Sequence, residues 1–520
     1  MLQWWHRPVS STERCLLQHA TERLRERLAE ISDLERIRQV LNWEQSTMMP
    51  PRGAPARARQ LATLANITHE RFVAAETGEL IAAAEQELTG LGLPADSLTV
   101  RLVAQARRLY DKGAHVPAEL VKARAQAAAD GYCAWLAARA ADDFSAYAPA
   151  LERNFDLARE YASCFDAQAD PYDAVLDDYM PGMTDATVSV LFDELRGELV
   201  PLVDALAGRP IDTAVQRARY SIAAQRGLVA EVLGWLGFDA SSWRLDDTAH
   251  PFQTSFSVSD IRLTTRFEAD YFPGALYGAM HECGHGLYEA GIAPELERTP
   301  LGQIYSLAMN ESQSRLWENM VGRSRAFCDA LAPVLAGHSE GALDGLDGAS
   351  LFRAVNAVQP SLIRIEADET TYGLHVVLRH ELERALMSGE LEVSDLPEAW
   401  NSRMRDYLGV TVRSDVQGVM QDVHWSEGLI GYFPSYAIGN LIAGQLWERI
   451  AAALPDLDAQ LRRHDLRPLR EWLTEHIYRH GSAFSDAELL SRLVGAPLQV
   501  APFVRYLRGK LGDVYGIELA

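Results

Sequence analysis

Two histidines, His281 and His285, stand four residues apart with Glu282 between them, in a stretch bounded by Pro273 and Gly291. Proline is favoured at the first position of a helix and glycine at its end, so this stretch predicts one helix of about five turns. On that helix the two imidazoles lie one turn apart on the same side, which suits the sharing of one zinc ion. Glu282 is rotated by about 100° from His281, which predicts a general base acting on a water molecule and not a third ligand.

A zinc site with an open catalytic position needs a third protein ligand, and a carboxylate is a common choice. Residues 304–321 predict a second helix that carries Glu311, Arg315 and Glu318 at intervals of three or four residues. Glu311 can therefore face the first helix across a helical hairpin. Glu318 and Glu289 are candidates to support the ligands or to be solvated on the surface, and spacing alone does not choose Glu311.

The cysteines argue for a reducing compartment. There are five, an odd number, and they are widely separated, which fits free thiols better than a disulfide framework. Cys283 lies inside the motif, but it is rotated by about 200° from His281, so we expect it to pack against the core behind the site.

Composition sets the class of protein. A chain of 520 residues with 48% hydrophobic residues can bury a large core, and helix-forming residues dominate. The formal net charge of −23 argues against nucleic acid or an anionic membrane surface as a partner. Neither an apolar signal region nor a run of about eighteen apolar residues is present, so we expect a cytoplasmic protein without a membrane partner.

Hydrophobic periodicity predicts a largely helical chain with one hairpin. Amphipathic helices are predicted at residues 12–42, 56–69, 96–110, 118–139, 147–164, 186–207, 215–234 and 361–389, with further helices in 441–515. Residues 43–53 are expected to break the first helix. Alternating apolar and polar residues at 252–265 predict a β-hairpin that turns at Ser259 and Asp260. Residues 421–436 predict an aromatic, glycine-rich loop that shapes a cavity.

Two polar residues near the hairpin are candidates to reach the site. Arg262 lies within its second strand, and His250 lies just before its first. The alternative for each is a surface cation or a loop histidine, and both readings stay open at this stage.

Taken together, these residues resemble the carboxypeptidase Taq family of HExxH metallopeptidases (peptidase family M32). The resemblance runs nearly end to end, from residues 43–45 and 49–50 through 172–174 and 181–184 to the C-terminal helices. The motifs of the family's site appear in order at residues 250–252, 260–264, 281–285, 311–313, 363–368 and 418–425.

The resemblance implies a mostly α-helical fold of the neurolysin-like, gluzincin type, with a deep groove between two lobes and a small β-sheet near the site. It implies one catalytic domain over residues 1–520, made of an N-terminal helical part and groove wall (1–237), a zinc-site and substrate-binding part (238–440) and C-terminal helices (441–520). A homodimer is also implied. His281, His285 and Glu311 match the family's zinc ligands, and cobalt is a possible substitute because the same ligands accept it.

The resemblance further implies a zinc-dependent carboxypeptidase that removes single C-terminal residues from peptides with broad side-chain tolerance. Glu282 would be the general base, and His424 or Tyr436 would help to hold the oxyanion. His250 is assigned to the substrate-binding side.

The family motifs also offer two arginines for the terminal carboxylate of the substrate. Arg262 and Arg364 are both candidates, and sequence does not rank them. Either one could instead order the loops around the site through Asp368 or Asp422.

Two rival functions and one departure from the family pattern accompany this interpretation. An oligoendopeptidase with the same zinc chemistry would cut internal bonds, and an inactive peptide-binding scaffold would have lost a ligand or the base. The family usually has a histidine immediately before the ligand glutamate, whereas this chain has Asn310. Asparagine does not titrate. This difference therefore affects how the metal ligands are supported and how activity depends on pH.

Overall fold

The protein is described by a computed structural model over residues 20–166 and 169–519. The expected helical residues 12–19, with Cys15, lie outside the described part. The helices are α1 (Ala20–Thr47), α2 (Ala54–Phe72), α3 (Ala75–Leu91), α4 (Leu98–His115), α5 (Ala118–Ala141), α6 (Phe144–Ala162), α7 (Pro171–Leu176), α8 (Asp185–Leu206), α9 (Ile222–Leu236), α10 (Phe272–Ala290), α11 (Leu307–Arg315), α12 (Arg325–His338), α13 (Gly348–Val355), α14 (Glu369–Ser388), α15 (Leu396–Leu408), α16 (Pro434–Ala453), α17 (Leu457–Arg462), α18 (Arg467–His476), α19 (Asp486–Leu493) and α20 (Ala501–Tyr515).

The strands are β1 (Trp243–Asp247), β2 (Gln253–Ser257) and β3 (Asp260–Thr265). A π-helical segment at Leu316–Val321 continues α11. Short 3-10 turns lie at Pro51–Gly53, Ala214–Arg217, Pro294–Leu296, Pro300–Gly302, Arg364–Glu366, Val393–Asp395, His424–Glu427 and Tyr478–His480. The predicted class, mostly helical with a small sheet, is confirmed.

Several predicted boundaries need correction, each for a local physical reason. Helix α1 runs on to Thr47, since residues 43–47 keep the helical backbone bonds and only the prolines at 50 and 51 end them. The helix expected from residue 361 starts at Glu369, because Asp368 caps it by accepting from the backbone N–H groups of Thr370 and Thr371. Helices α3, α7, α12, α13 and α15 and strand β1 were not predicted.

The second predicted site helix and the aromatic loop also differ in detail. Helix α11 begins at Leu307 because the Ser306 side chain caps it by accepting from the Met309 N–H, and its continuation is π-helical. The aromatic loop is shorter than expected, because Pro434 starts α16 and places Tyr436 in its first turn.

The three strands form one sheet in the order β1-β3-β2. The predicted hairpin is confirmed as the antiparallel pair β2 and β3, and β1 adds to the other side of β3 in parallel. The sheet packs on α10 through alternate residues of β3. Ile261 lies so close to the helix that a Cβ at Gly286 would come within 2.9 Å of its Cγ2 atom, and Thr265 Oγ1 donates to the Ala275 carbonyl. The intervening Arg262 therefore points to the opposite face.

The two helices of the predicted hairpin, α10 and α11, pack closely. A Cβ at Gly284 would lie 2.8 Å from the Gln313 carbonyl oxygen, so the missing side chain lets the backbones approach. Cys283 is fully buried beside this contact, as expected from its place on the helix. Helix α16 packs against α11. It also runs across residue 440, and the proposed division of the chain into parts at residues 237 and 440 stays a prediction. Over residues 20–166 and 169–519, no helix combines the length and apolarity needed to cross a membrane.

Candidate active site

Three candidate metal ligands converge where α10 meets α11. Glu311 Oε2 lies 3.5 Å from His281 Nε2 and 3.6 Å from His285 Nε2. One ligand atom from each residue lies within 4.8 Å of the others. Ligands at about 2.0–2.1 Å from a tetrahedral zinc ion are about 3.3 Å apart, so this donor set fits zinc and leaves one position open.

Two of the candidate ligands are held in place by charged side chains. His281 Nδ1 lies 3.0 Å from Glu318 Oε2, an arrangement in which Nδ1–H donates and Nε2 is left for a metal. Arg315 Nε donates to Glu311 Oε1 at 2.6 Å, which leaves Oε2 to face the histidines. Arg323 donates to the far oxygen of Glu318 at 3.1 Å. Cations thus compensate both carboxylates.

The π-helical segment explains how Glu318 reaches His281. Glu318 lies inside Leu316–Val321, where the wider turn changes the direction of the side chains relative to α11. Such segments are often found at functional sites. Of the two roles left open for Glu318, the structure therefore favours support of a ligand.

Asn310 lies beside His285, as Glu318 lies beside His281. Burial lowers the pKa of His285 to about 4, His281 adds to this, and hydrogen bonding with Asn310 opposes it. The Nδ1 atom of His285 and the Oδ1 atom of Asn310 are both buried, and among the described residues neither has a partner in full hydrogen-bond geometry. The two atoms are the complementary donor and acceptor for a neutral imidazole.

Glu282 has the surroundings of a general base. Its side chain is only 7% exposed. Burial raises the pKa of its carboxyl to about 7, with the neighbouring His281 opposing that rise. A carboxylate with a pKa near neutrality can take a proton from water and return it within one catalytic cycle.

A second group of candidates lies in residues Gln421–Tyr436, called the donor loop below. His424 Nε2 lies 3.2 Å from the Tyr436 hydroxyl oxygen. Burial lowers the pKa of His424 to about 3, and the nearby Arg364 adds to this effect. Burial raises the pKa of Tyr436 well above its usual value. Both side chains are therefore neutral hydrogen-bonding groups near neutral pH.

Packing of α16 places the donor loop beside the candidate metal ligands. A Cβ at Gly439 would lie 2.9 Å from Glu311 Cβ, so α16 touches the ligand helix directly at this point. Tyr436 lies three residues earlier on the same helix, and the charge of Glu311 is close enough to raise its pKa. Tyr436 and its partner His424 thus line the space around the candidate metal position.

Arg364 anchors the donor loop. Its Nε and Nη2 atoms donate to Asp422 Oδ1 at 3.1 and 2.9 Å, and its Nη1 atom donates to the Tyr372 hydroxyl at 2.8 Å. Arg379 donates to the other oxygen of Asp422 at 2.7 Å. The Arg364 side chain is only 5% exposed. Between the two roles left open for Arg364, these contacts favour the ordering of a loop through Asp422.

Arg262 and His250 lie on the sheet side of the molecule. Arg262 donates to Asp260 and lies over the rings of Trp43 and Phe256, at 4.7 and 5.2 Å from their centroids. His250 is exposed in the connection between β1 and β2. Within the described ranges, no hydrogen bond or ion pair joins either residue to the candidate ligands.

The sequence analysis assigned no role to three residues that organise the site. Arg315 follows Glu311 by four residues, a helical spacing that indicates a contact and was available as a signal. Arg379 and Glu383 on α14 contact the donor loop across 42 or more residues of sequence. No spacing rule reveals contacts of that kind.

Comparisons with known proteins agree with this geometry. The chain matches the carboxypeptidase Taq (M32) metallopeptidase family over residues 23–511. It is 40% identical over 492 residues to thermostable carboxypeptidase 1 of Thermus thermophilus, covering 91% of this chain and 94% of that protein. Carboxypeptidase 1 of Bacillus subtilis is 34% identical over 490 residues, with coverage of 94% and 97%.

A solved structure shows the same fold. The crystal structure of an M32 carboxypeptidase from Deinococcus radiodurans R1 superposes with a TM-score of 0.92 at 40% sequence identity, covering 96% of this chain and 100% of that chain. The metal-compatible cluster and these comparisons lead to one conclusion. The chain belongs to the carboxypeptidase Taq (M32) family and is a metallocarboxypeptidase, a hydrolase of peptide bonds.

Proposed function

We propose that this protein is a zinc-dependent carboxypeptidase that removes single C-terminal residues from peptides with broad side-chain tolerance. The observation that carries the proposal is the convergence of His281, His285 and Glu311, with the buried Glu282 on the same helix. Zinc in such a site supplies Lewis-acid activation of a water nucleophile and of the scissile carbonyl. Cobalt accepts the same ligands and should also support activity.

In the proposed reaction, the protein side chains hold and move protons. The Glu282 carboxylate takes the proton of the attacking water and passes it to the leaving amine. His424 or Tyr436 donates a hydrogen bond to the oxygen that gains negative charge in the tetrahedral intermediate, and the other orients that donor through their mutual hydrogen bond. Because both donors stay neutral near pH 7, neither has to change its protonation state during turnover.

Cleavage at the C-terminus requires recognition of a terminal carboxylate, which a guanidinium binds through two parallel hydrogen bonds. Arg364 is already engaged by Asp422 and Tyr372. The Arg262 side chain is 21% exposed, compared with 5% for Arg364. We therefore favour Arg262 for the carboxylate, with Arg364 acting through the donor loop.

The test is mass spectrometry of one peptide and its C-terminal amide after incubation with the purified protein. We expect stepwise loss of C-terminal residues from the free acid only, abolished by a chelator and restored by zinc or cobalt. Internal cleavage of both peptides would instead support the oligoendopeptidase. Absence of cleavage with metal restored would contradict the proposed function and direct attention to Asn310.

A homodimer and a cytoplasmic location stay predictions. Light scattering during size-exclusion chromatography would measure the mass in solution. The monomer mass is 57.6 kDa, so a dimer is clearly separable from it. Fractionation of the source cells would test the location.

A further inference from the structure

Glu383 is a buried carboxylate that the proposed chemistry does not use. It lies on α14 and is fully buried. Three groups donate to it: Tyr172 Oη at 2.5 Å, Trp425 Nε1 at 2.6 Å and the Gly431 backbone N–H at 3.1 Å. One carboxylate therefore connects α14, α7 and two points of the donor loop.

Two of these three hydrogen bonds, from Trp425 and Gly431, come from the donor loop. Trp425 directly follows His424, and Gly431 lies between His424 and Tyr436. Trp425 Nε1 donates to Oε1 of Glu383, and the Gly431 N–H donates to Oε2 of the same carboxylate. One planar carboxylate thus bridges the Trp425 indole and the Gly431 backbone. His424 directly precedes the first of these residues, and Tyr436 follows the second by five residues.

The surroundings of Glu383 are unusual for a residue that only stabilises the fold. Hydrogen bonds hold its carboxylate, whereas Asp422 is paired directly with Arg364 and Arg379. Burial raises the pKa of Glu383 to about 7, and the donors and the charge of Arg379 oppose the rise. Burying a carboxylate without a direct cationic partner is costly, and an apolar residue of similar volume would be cheaper for stability alone.

We propose that Glu383 is a positioning residue for the carboxypeptidase reaction, holding the donor loop so that His424 and Tyr436 face the scissile carbonyl. The inference rests on the proposed function and extends it. Glu383 touches neither substrate nor metal, and it acts through Trp425 and Gly431. A small displacement of catalytic donors costs up to about a hundredfold in rate, which sets the scale of the expected effect.

The main test is the variant Glu383→Gln, loaded with zinc and assayed well below its melting temperature. The amide keeps the size of the side chain but offers only one acceptor oxygen, so its NH2 group must face a donor from the donor loop or from Tyr172. We expect kcat to fall by about a hundredfold. KM should stay within about threefold of the wild-type value because substrate binding does not use this group.

The same helix provides a matched control. Glu381 lies two residues earlier on α14 and accepts from Tyr407 Oη at 2.8 Å and from Arg403 Nε at 2.8 Å, away from the donor loop. Glu381→Gln makes the same chemical change to a side chain that also accepts from a tyrosine. We expect its kcat to remain within about twofold of the wild type while its melting temperature falls slightly.

A milder pair of variants covers the case in which Glu383→Gln does not fold. Tyr172→Phe removes one of the three donors to Glu383. Tyr161→Phe removes a comparable hydroxyl, which donates to Asp178 at 2.6 Å. We expect kcat to fall several-fold in Tyr172→Phe and to stay unchanged in Tyr161→Phe.

The outcomes separate the inference from the proposed function. Wild-type protein that cleaves the free-acid peptide, together with a loss of kcat in Glu383→Gln or Tyr172→Phe but not in the controls, supports the inference. Equal kcat in each variant and its control overturns it while leaving the carboxypeptidase assignment intact. If zinc-loaded wild-type protein does not cleave, the proposed function fails first and the positioning role fails with it.

Discussion

Glu318, which is 13% exposed, and the fully buried Glu383 are two glutamates near one site, yet their pKa values shift in opposite directions. Burial would raise the pKa of Glu318, but the hydrogen bond to His281 and the charges of Arg315 and Arg323 outweigh it and hold the pKa well below its usual range. Burial raises the pKa of Glu383 to about 7, because neutral donors compensate it less than cations do. The metal side of the site is thus built from paired charges. On the donor-loop side, Asp422 is also paired with two arginines, but Glu383 is held by neutral donors.

The difference between Glu318 and Glu383 fits the two proposed tasks, which are binding a metal ion and stabilising an oxyanion. A divalent ion bound by two neutral histidines needs nearby carboxylates that stay ionised, and arginines ensure this. An oxyanion that exists only during turnover needs fixed neutral donors, which cost no reorganisation as the charge forms. Substitutions on the metal side should therefore change metal binding or proton transfer, whereas substitutions around the donor loop should change stability and rate without removing the metal.

The largest expected effect is the loss of the base. Glu282→Gln should lower kcat by about 10²- to 10⁴-fold, because the amide cannot accept the proton of the attacking water. Zinc content should stay at the wild-type level, as measured by elemental analysis. Glu289→Gln, on the same helix and bonded to Ser255, is the matched control and should retain activity. Loss of zinc in Glu282→Gln would place this residue among the ligands instead.

Next in size is the anchor of the donor loop. Arg364→Met should lower the free energy of unfolding by about 3 kcal/mol, because it leaves the buried Asp422 with one cation in place of two. Urea unfolding of the zinc-loaded protein measures the change. The control is Arg505→Met, whose partner Glu448 is exposed and whose loss should be small. A wild-type unfolding curve for Arg364→Met, combined with weaker discrimination between acid and amide peptides, would move the carboxylate-binding role to Arg364.

A smaller effect is expected from the support of His281. Glu318→Gln should weaken zinc binding by about 10- to 100-fold, because the amide orients the imidazole and raises its basicity less than a carboxylate does. Competition with a chromophoric chelator measures the affinity. Glu289→Gln again serves for comparison and should bind zinc as the wild type does. Unchanged affinity in Glu318→Gln would assign that residue to packing alone.

The effect that is smallest at neutral pH concerns the protonation of His424 in the donor loop. The pKa of His424 is about 3 in the folded protein, against 6.5 for an ordinary histidine. The unfolded chain therefore binds a proton below about pH 6.5 that the folded protein does not bind, and stability falls as the pH drops towards 3. His424→Gln should lack this component, so its free energy of unfolding should depend on pH less steeply, by up to about 1.4 kcal/mol per pH unit. Parallel curves for the two proteins between pH 6 and 4 would contradict the buried neutral histidine.

Much of the metal side could be predicted because it is local in sequence. His281, Glu282 and His285 lie on one helix, so their relative directions follow from 3.6 residues per turn. His281 and Glu318 are 37 residues apart, within one helical hairpin. The choice of Glu311 needed the family resemblance, since helical spacing alone offered several glutamates. Asn310 was recognised as a departure, but only the structure shows that it lies beside His285.

For the donor loop, periodicity predicted only a loop with aromatic residues, and the family resemblance added His424, Tyr436 and the alternative contact of Arg364 with Asp422. Its contacts with Arg379 and Glu383 depend on the packing of α14 against it, and Tyr172 and Glu383 are 211 residues apart. No periodicity links residues at that distance. The extra strand β1 was missed for the same reason, because a parallel partner of β3 is chosen by the tertiary fold and not by a turn.

The sequence by itself determined the helical class and the placement of His281, Glu282 and His285 on one helix, because these depend on backbone periodicity. The tertiary structure decided which cations pair with which carboxylates, that Arg364 is engaged by Asp422, and that Glu383 joins α7, α14 and the donor loop. Burial and electrostatics act through space and are decided only when distant helices pack together.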